Sequence, residues 1–205
     1  MTQYGFYFNG PRCTGCKTCA MACKDKNDLP PEIGFRNVYE YTGGTWSNEG
    51  GLWKNDVFSY YVSLSCNHCA SPVCMEVCPQ GAISKSEETG AMSVDPEKCI
   101  HCESCLQACP YDVPRYDEAI DAMVRCDMCA DLIAQGKQPV CVEACPLRAL
   151  EFGDIEELKA KYGDVSAIAP MPEPTTAPSI VITAPVNGKP VGDTAGAVAN
   201  EREIS

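Results

Sequence analysis

Residues 12–24 read RCTGCKTCAMACK and place four thiols within eleven positions. The chain holds sixteen cysteines, and all of them fall into four quartets. The first is Cys13, Cys16, Cys19 and Cys23, spaced C-x2-C-x2-C-x3-C. The second is Cys66, Cys69, Cys74 and Cys78, with steps of x2, x4 and x3. The third, Cys99, Cys102, Cys105 and Cys109, repeats x2, x2, x3. The fourth, Cys126, Cys129, Cys141 and Cys145, is spread over x2, x11 and x3. Three quartets end in Cys-Pro, at Pro79, Pro110 and Pro146, whereas the first ends in Cys-Lys.

A [4Fe–4S] cube has four iron corners, and each takes one thiolate. Cysteines three residues apart in a tight loop wrap three corners of one cube. The x3 step differs, because residues four apart share a helix face about one turn apart. The fourth thiolate therefore points away from the loop, and in bacterial ferredoxin runs it serves the other cube of a pair. Every quartet keeps this step, filled by AMA, MEV, LQA or VEA. The proline that follows restricts the fourth cysteine and turns the chain away.

Two other sulfur chemistries compete. Disulfides would need eight bridges among near neighbours, in a chain whose opening MTQYGFYFNG carries no signal-peptide pattern. Zinc suits the fourth quartet alone, but zinc sites draw their ligands as separated pairs, and two quartets here are tight runs. The spacing predicts four [4Fe–4S] clusters, with iron held by all sixteen cysteines. Each cube carries a net charge of about −2, so four add roughly −8 to the formal −12 of the chain. Arg12, Lys17, Lys24, Lys98, Arg115, Arg125 and Arg148 lie near the loops and can offset this charge and raise potentials. For any one of them, a solvated surface charge is the default.

The second and third quartets are separated by residues 79–98, PQGAISKSEETGAMSVDPEK, which predict strand, glycine turn and strand. With fourth cysteines exchanged in pairs, the favoured arrangement is nested: second quartet with third, first with fourth. The cluster sets are then Cys13, Cys16, Cys19 and Cys145; Cys23, Cys126, Cys129 and Cys141; Cys66, Cys69, Cys74 and Cys109; and Cys78, Cys99, Cys102 and Cys105. Sequential pairing, first with second and third with fourth, is the competitor.

The remainder of the chain frames these loops. The expected fold is α+β: two nested bacterial-ferredoxin-like modules, a β-hairpin insertion and an extended C-terminal arm. Residues 1–26 and 117–164 make the first module and residues 57–116 the second. Residues 27–56 are the insertion, a hairpin across Gly43, Gly44 and a polar loop, with Trp46 and Trp53 as packing residues. ALEFGD predicts a strand and DIEELKAKYG a helix capped by Asp154 and stopped by Gly163. Residues 165–205 have six prolines and no aromatics, and read as an arm that lies on a partner.

Composition excludes several functions. There is no 18-residue apolar stretch for a membrane span. A net charge of −12 without basic blocks does not suit a phosphate backbone. Neither a GxGxxG fingerprint nor a GxxxxGK[ST] loop is present. With two histidines, His68 and His101, both inside a CxHC step, no His-based catalytic set is apparent. Either histidine can tune a cluster by hydrogen bonding, or be plain loop polarity. No catalytic residues are assigned.

The opening YGFYFN, RCTGCKTCAMACKDKNDL, CNHC, CPQGA, PVCVEACPLRALEFGD and the proline-rich end together resemble, over essentially the full length, the iron–sulfur subunits of the anaerobic dimethyl sulfoxide reductase family. The resemblance implies a non-catalytic subunit between a molybdopterin catalytic subunit and a quinol-oxidising membrane anchor. It places the Cys13 cluster nearest the former and the Cys102 cluster nearest the latter. Some relatives lack a cysteine at the position of Cys102 and hold a [3Fe–4S] cluster; Cys102 here predicts [4Fe–4S]. The family also tolerates the missing proline after Cys23. It further implies membrane association through the anchor, on the periplasmic face after export with a leader-bearing partner, since the chain shows no twin-arginine leader; the cytoplasmic face is the alternative. Subunits of other molybdopterin reductases or dehydrogenases, a free-standing polyferredoxin and a zinc-stabilised interaction module are the other readings.

Overall fold

An aromatic strand runs through the middle of a three-stranded sheet in the computed structural model, which describes residues 2–204. Along the chain the strands are β1 (Tyr4–Asn9), β2 (Arg36–Gly43), β3 (Trp46–Glu49), β4 (Leu52–Asn55), β5 (Phe58–Ser65) and β6 (Ile83–Lys85). They continue as β7 (Met92–Val94), β8 (Arg115–Asp117), β9 (Ala122–Val124), β10 (Leu150–Asp154), β11 (Ile180–Thr183) and β12 (Gly196–Val198). The helices are α1 (Thr18–Asn27), α2 (Val73–Glu76), α3 (Ser104–Ala108), α4 (Ala130–Ile133), α5 (Val140–Glu143) and α6 (Ile155–Tyr162).

The β1 sequence, YGFYFN, is buried on both faces. Phe6 and Phe8 join the main core with Leu150, Ile180 and Ile182. Tyr7 faces the other way, stacked on Tyr162 of α6 with 3.6 Å between ring centroids, and packs with Ile155, Leu158 and Val181. Alternation along a strand sends neighbouring side chains to opposite faces, so a strand with aromatics on both faces needs cover on both. α6 supplies the second cover. Its start is set by Asp154, whose carboxylate accepts from the N–H groups of Glu156 and Glu157, and Gly163 ends it, as the sequence predicts. β10 pairs antiparallel with β1, from Tyr4 opposite Asp154 to Phe8 opposite Leu150.

The segment 79–98 forms the expected hairpin, β6 with β7. β8 and β9 make a second one. Around them lies a smaller core in which Ile83, Met92 and Met123 pack with Cys66, Cys74, Cys105 and Cys126. Sulfur thus replaces hydrocarbon in much of the interior.

Three sequence expectations are corrected. First, the insertion is longer than residues 27–56. β2 pairs with β5 along its whole length, from Arg36 opposite Ser65 to Gly43 opposite Phe58, so the hairpin ends directly before Cys66. Phe58, Tyr60 and Val62 are buried against Val38 and Tyr41, and this apolar alternation ties β5 to β2. Second, Trp46 and Trp53 are not packing residues. They sit on β3–β4, a small hairpin at the tip, and are 62% and 67% exposed. A two-stranded tip has no layer to bury them against.

Third, residues 165–204 lie on their own chain. β11 adds to the sheet parallel to β1, with Ile180, Val181 and Ile182 buried. β12 pairs with β2, and Asn200 accepts from the Glu40 N–H and donates to the Val38 carbonyl. The N–H groups of Ala70 and Ser71 donate to the carbonyls of Ala177 and Thr176, and the Ser179 N–H donates to the Asn67 carbonyl. The proline count conceals the β-branched run SIVIT, which completes a sheet face that β1 leaves open. Among the described residues no helix is long and apolar enough to cross a membrane.

Candidate functional site

The four cysteine loops share one backbone device. The residue just before the second cysteine of each quartet has positive φ: Gly15 (70°), His68 (42°), His101 (43°) and Met128 (65°). Three of these are not glycine, and a left-handed conformation costs a side-chain-bearing residue roughly 1–2 kcal/mol. Such strain persists where surrounding structure enforces it, commonly at functional loops. Here it turns main-chain donors onto sulfur. The His68 N–H donates to Cys66 Sγ and the Met128 N–H to Cys126 Sγ, each at 3.4 Å. The fourth cysteines receive a matching bond from four residues downstream, Ala82 N–H to Cys78 Sγ at 3.3 Å and Ala149 N–H to Cys145 Sγ at 3.2 Å. Gly15 also gives room: a Cβ there would meet the Tyr61 ring at 2.4 Å.

Three hollows are each lined by four cysteines. Cys13, Cys16, Cys19 and Cys145 surround one, with Phe8, Val38 and Leu150 behind them. Cys78, Cys99, Cys102 and Cys105 surround another, against Ile83, Val94 and Met123. Cys66, Cys69, Cys74 and Cys109 surround a third, with Tyr111, Arg125 and Thr176. The remaining four, Cys23, Cys126, Cys129 and Cys141, are all buried. Cys23 interacts electrostatically with Cys141 and Cys129, and Cys126 with Cys66 of the third hollow and then with Cys23 and Cys141. Around each of the three hollows, three sulfurs come from one quartet and the fourth from another. Helix packing follows the same division: α1 lies against α5, and α2 against α3.

These groups fit [4Fe–4S] clusters. No two of the sixteen cysteines are joined as a disulfide. Among the described residues no three His, Cys, Asp or Glu side chains are close enough to share a single metal ion. The sulfurs ring a hollow instead, as the corners of a larger polynuclear group require. Burial pushes the Cys13, Cys69 and Cys105 thiols up to about 11 and Cys23 to about 12. Buried thiols of this kind become thiolates only by binding a cation. Four buried donors have no partner among the described residues: Arg36 Nε, Arg125 Nε, Asn67 Nδ2 and His68 Nε2. Unpaired buried donors are costly, and an acceptor such as inorganic sulfide is the missing counterpart.

The two outer loops are different. Cys16 and Cys102 are exposed. The Thr18 hydroxyl lies 3.4 Å from Cys16 Sγ, and the Ser104 hydroxyl 3.4 Å from Cys102 Sγ. These hydroxyl contacts are the main cause that lowers both thiols below their ordinary value.

Of the seven cations singled out in the sequence, Arg125 is buried at sulfur. Its Nη2 donates to Cys66 Sγ at 2.6 Å and its Nη1 to Cys74 Sγ at 3.1 Å. Arg12 lines the first hollow. Lys17 lines it too, and the rest hold the scaffold. Lys24 caps the carbonyls of Pro30, Pro31 and Ile33, and Arg148 those of Glu143 and Cys145. Lys17, Lys98 and Arg115 pair with Glu203, Asp95 and Asp112. His68 is fully buried, and its Nδ1 accepts from the Met92 N–H at 2.9 Å. Burial, with the Arg125 charge beside it, keeps its pKa well below the usual value, so the ring is neutral. His101 is exposed, 3.4 Å from Asp121.

Sequence reasoning missed Arg36, Ser63 and Thr176. Arg36 is 2% exposed, and Thr176 donates its hydroxyl to Cys69 Sγ at 3.1 Å. Arg36 and Thr176 stand far from any quartet, and Ser63, three residues before Cys66, serves Cys19 of another quartet, so local spacing gives no signal for them.

Comparison with known proteins identifies iron–sulfur domains along the same chain. A 4Fe-4S dicluster domain matches residues 57–155, and a 4Fe-4S binding domain matches residues 11–27. The chain is 53% identical to the corresponding subunit of anaerobic dimethyl sulfoxide reductase from Escherichia coli (strain K12) over 204 residues, 99% of each protein. It is 50% identical to the equally named protein from Haemophilus influenzae over 207 residues, 100% of each. With the thiosulfate reductase electron transfer subunit PhsB of Salmonella typhi it shares 36% identity over 156 residues, 76% of this protein and 78% of the other. Sixteen cysteines in cluster-forming groups and full-length identity of half or more lead to one conclusion: the protein belongs to the family of anaerobic dimethyl sulfoxide reductase iron–sulfur subunits, with four [4Fe–4S] clusters.

Proposed function

We propose that this electron-transfer subunit relays electrons through four [4Fe–4S] clusters from a quinol-oxidising membrane anchor subunit to a molybdopterin catalytic subunit that reduces dimethyl sulfoxide or similar S- or N-oxides. The ligand sets are Cys13, Cys16, Cys19 and Cys145 for cluster 1; Cys23, Cys126, Cys129 and Cys141 for cluster 2; Cys66, Cys69, Cys74 and Cys109 for cluster 3; and Cys78, Cys99, Cys102 and Cys105 for cluster 4. Residues 1–26 with 117–164, and about 66–116, are then two nested modules. Three hollows, each lined by one complete set, support these assignments.

A bound [4Fe–4S] cluster supplies reversible one-electron storage at a potential set by its hydrogen bonds, burial and local charge. The protein supplies the order of the sites. Cys19 interacts with Cys141, Cys126 with Cys66, and Cys105 with Cys74. These electrostatic couplings support the order 1, 2, 3, 4 for the sets. Neither inner set has an exposed ligand, although Cys69 and Cys109 are half-buried, whereas each outer set has one, Cys16 in the first and Cys102 in the fourth. A row of four sites whose exposed ligands lie at its two ends is what a relay between two partners needs, and this observation carries the proposal. Residues such as Phe8, Val38, Ile83 and Met123 keep water from the sulfurs.

The Cys102 end is assigned to the anchor and the Cys16 end to the catalytic subunit, with attachment to the periplasmic face of the membrane. The test is Cys102→Ser in the intact complex. Quinol-driven turnover should stop while artificial donors that reach the catalytic subunit still support reduction. Full quinol-linked turnover with unchanged EPR spectra rejects the assignment. Gel filtration separates the reading from a free-standing polyferredoxin, which elutes alone at the 22.1 kDa of one chain.

A further inference from the structure

Arg36 opens β2, well away in sequence from every quartet, yet it is buried to 2% exposure among the sulfurs. Its guanidinium stacks on the Phe6 ring at 4.7 Å. Nη2 donates to Ser65 Oγ at 2.8 Å, and Nη1 donates to the Ser63 carbonyl at 3.3 Å and to Ser63 Oγ at 3.2 Å. Ser63 Oγ in turn lies 3.4 Å from Cys19 Sγ. A guanidinium only donates, so Ser63 accepts from Arg36 and its own hydrogen is free for Cys19. The charge is therefore relayed onto a sulfur of the Cys13, Cys16, Cys19, Cys145 set.

Helix α1, which carries Cys19 and, one turn on, Cys23 of the second set, packs against β2, the strand that Arg36 opens. Burial works against its charge, but Cys141, Cys19, Cys126 and Cys23 more than offset this and hold the proton more tightly. Three of those four belong to the second set and one to the first. The ion pairs among the described residues include no carboxylate for Arg36. A buried positive charge with neutral hydroxyl partners only is unfavourable unless a negative group stands nearby. The unpartnered Arg36 Nε–H is a second sign of that missing counter-charge.

We propose that Arg36 is a potential-setting residue shared by clusters 1 and 2: a fixed buried charge, extended to Cys19 through Ser63, that favours the reduced form of both. Adding an electron to either site adds negative charge beside the guanidinium, so the charge stabilises each reduced state. A charge placed astride both sites moves the two potentials together and leaves the driving force between them little changed. The inference rests on the ligand sets proposed above.

The test is potentiometric EPR on the purified complex carrying Arg36→Gln and Arg36→Lys. Signals are assigned with Cys16→Ser and Cys102→Ser, which alter the two outer clusters. In Arg36→Gln the potentials of clusters 1 and 2 should both fall by at least tenfold in reduction equilibrium, about 59 mV for one electron. Cluster 4 should stay unchanged. Arg36→Lys keeps the charge and should remain within that margin of the natural protein. Unmoved potentials in Arg36→Gln, or a fall in only one of clusters 1 and 2, overturn the shared role of Arg36. A fall confined to clusters 3 and 4 overturns the ligand sets instead. If Arg36→Gln fails to take up iron, Arg36→Lys decides alone: a tenfold or greater fall despite the retained charge overturns the proposal, and its absence supports it.

Discussion

The Thr176 hydroxyl donates to Cys69 Sγ at 3.1 Å, across 107 residues of sequence. Thr176 is 7% exposed and also reaches the Tyr111 hydroxyl at 3.3 Å. The C-terminal segment therefore does more than complete two sheets: it places one hydrogen bond on a cluster ligand. A donor to a thiolate disperses its charge and raises the reduction potential. Thr176→Val, which keeps shape and loses the donor, should lower the potential of the Cys69 cluster and leave the Cys102 cluster as it was. Thr176→Ser should restore it. Potentiometric EPR reads both, and equal potentials in Thr176→Val and the natural protein count against the bond.

Arg125 holds Cys66 and Cys74 together by two charge-assisted bonds in a buried setting. Removing one partner of such an arrangement costs about 3–5 kcal/mol. Arg125→Met should yield complexes short of about four iron and four sulfide per chain, one cluster's worth. Chemical iron and sulfide analysis checks this. Full metal content in Arg125→Met would show that cluster 3 assembles without the guanidinium.

Segment 165–204 should resist proteolysis in the isolated, cluster-loaded chain wherever it is buried, around Ile168–Met171 and Ile180–Ile182. Cleavage should begin near Val186, which is 95% exposed. Early cutting between 179 and 183 that disappears only on adding the partner would instead describe an arm ordered by binding.

Asp154 caps α6 through its carboxylate. Asp154→Ala should cost about 1 kcal/mol of stability and leave every cluster potential in place. Chemical denaturation under anaerobic conditions measures the first, EPR the second. A change in potential would mean that α6 governs the clusters through β1, which no contact of its cap with the cysteine loops gives reason to expect.

Much of the site is legible in order along the chain. Cysteines three residues apart share one loop; of the x3 steps, the one from Cys19 to Cys23 lies within a helix, whereas Cys78, Cys109 and Cys145 fall just past the ends of α2, α3 and α5. The cap at Asp154, the stop at Gly163 and the β6–β7 hairpin are equally local, and the structure has all of them. The exposure of Trp46 and Trp53 escapes composition, which says that an aromatic is apolar, not that a layer exists to cover it. The C-terminal segment misleads for the opposite reason: prolines signal an extended chain, and an extended chain is also what a sheet edge accepts.

By itself the sequence determined the ligand chemistry, the number of clusters and the reach of each loop, because these depend on bonds spanning a few residues. Only the tertiary structure decided which side chains from elsewhere meet the sulfurs. Arg36 stands thirteen residues beyond Cys23, and Thr176 thirty-one beyond Cys145. Their approach to Cys19 and Cys69 depends on β2 pairing with β5 and on the last segment crossing the second loop. Such contacts follow from packing a whole core, whose free energy no short stretch of sequence contains.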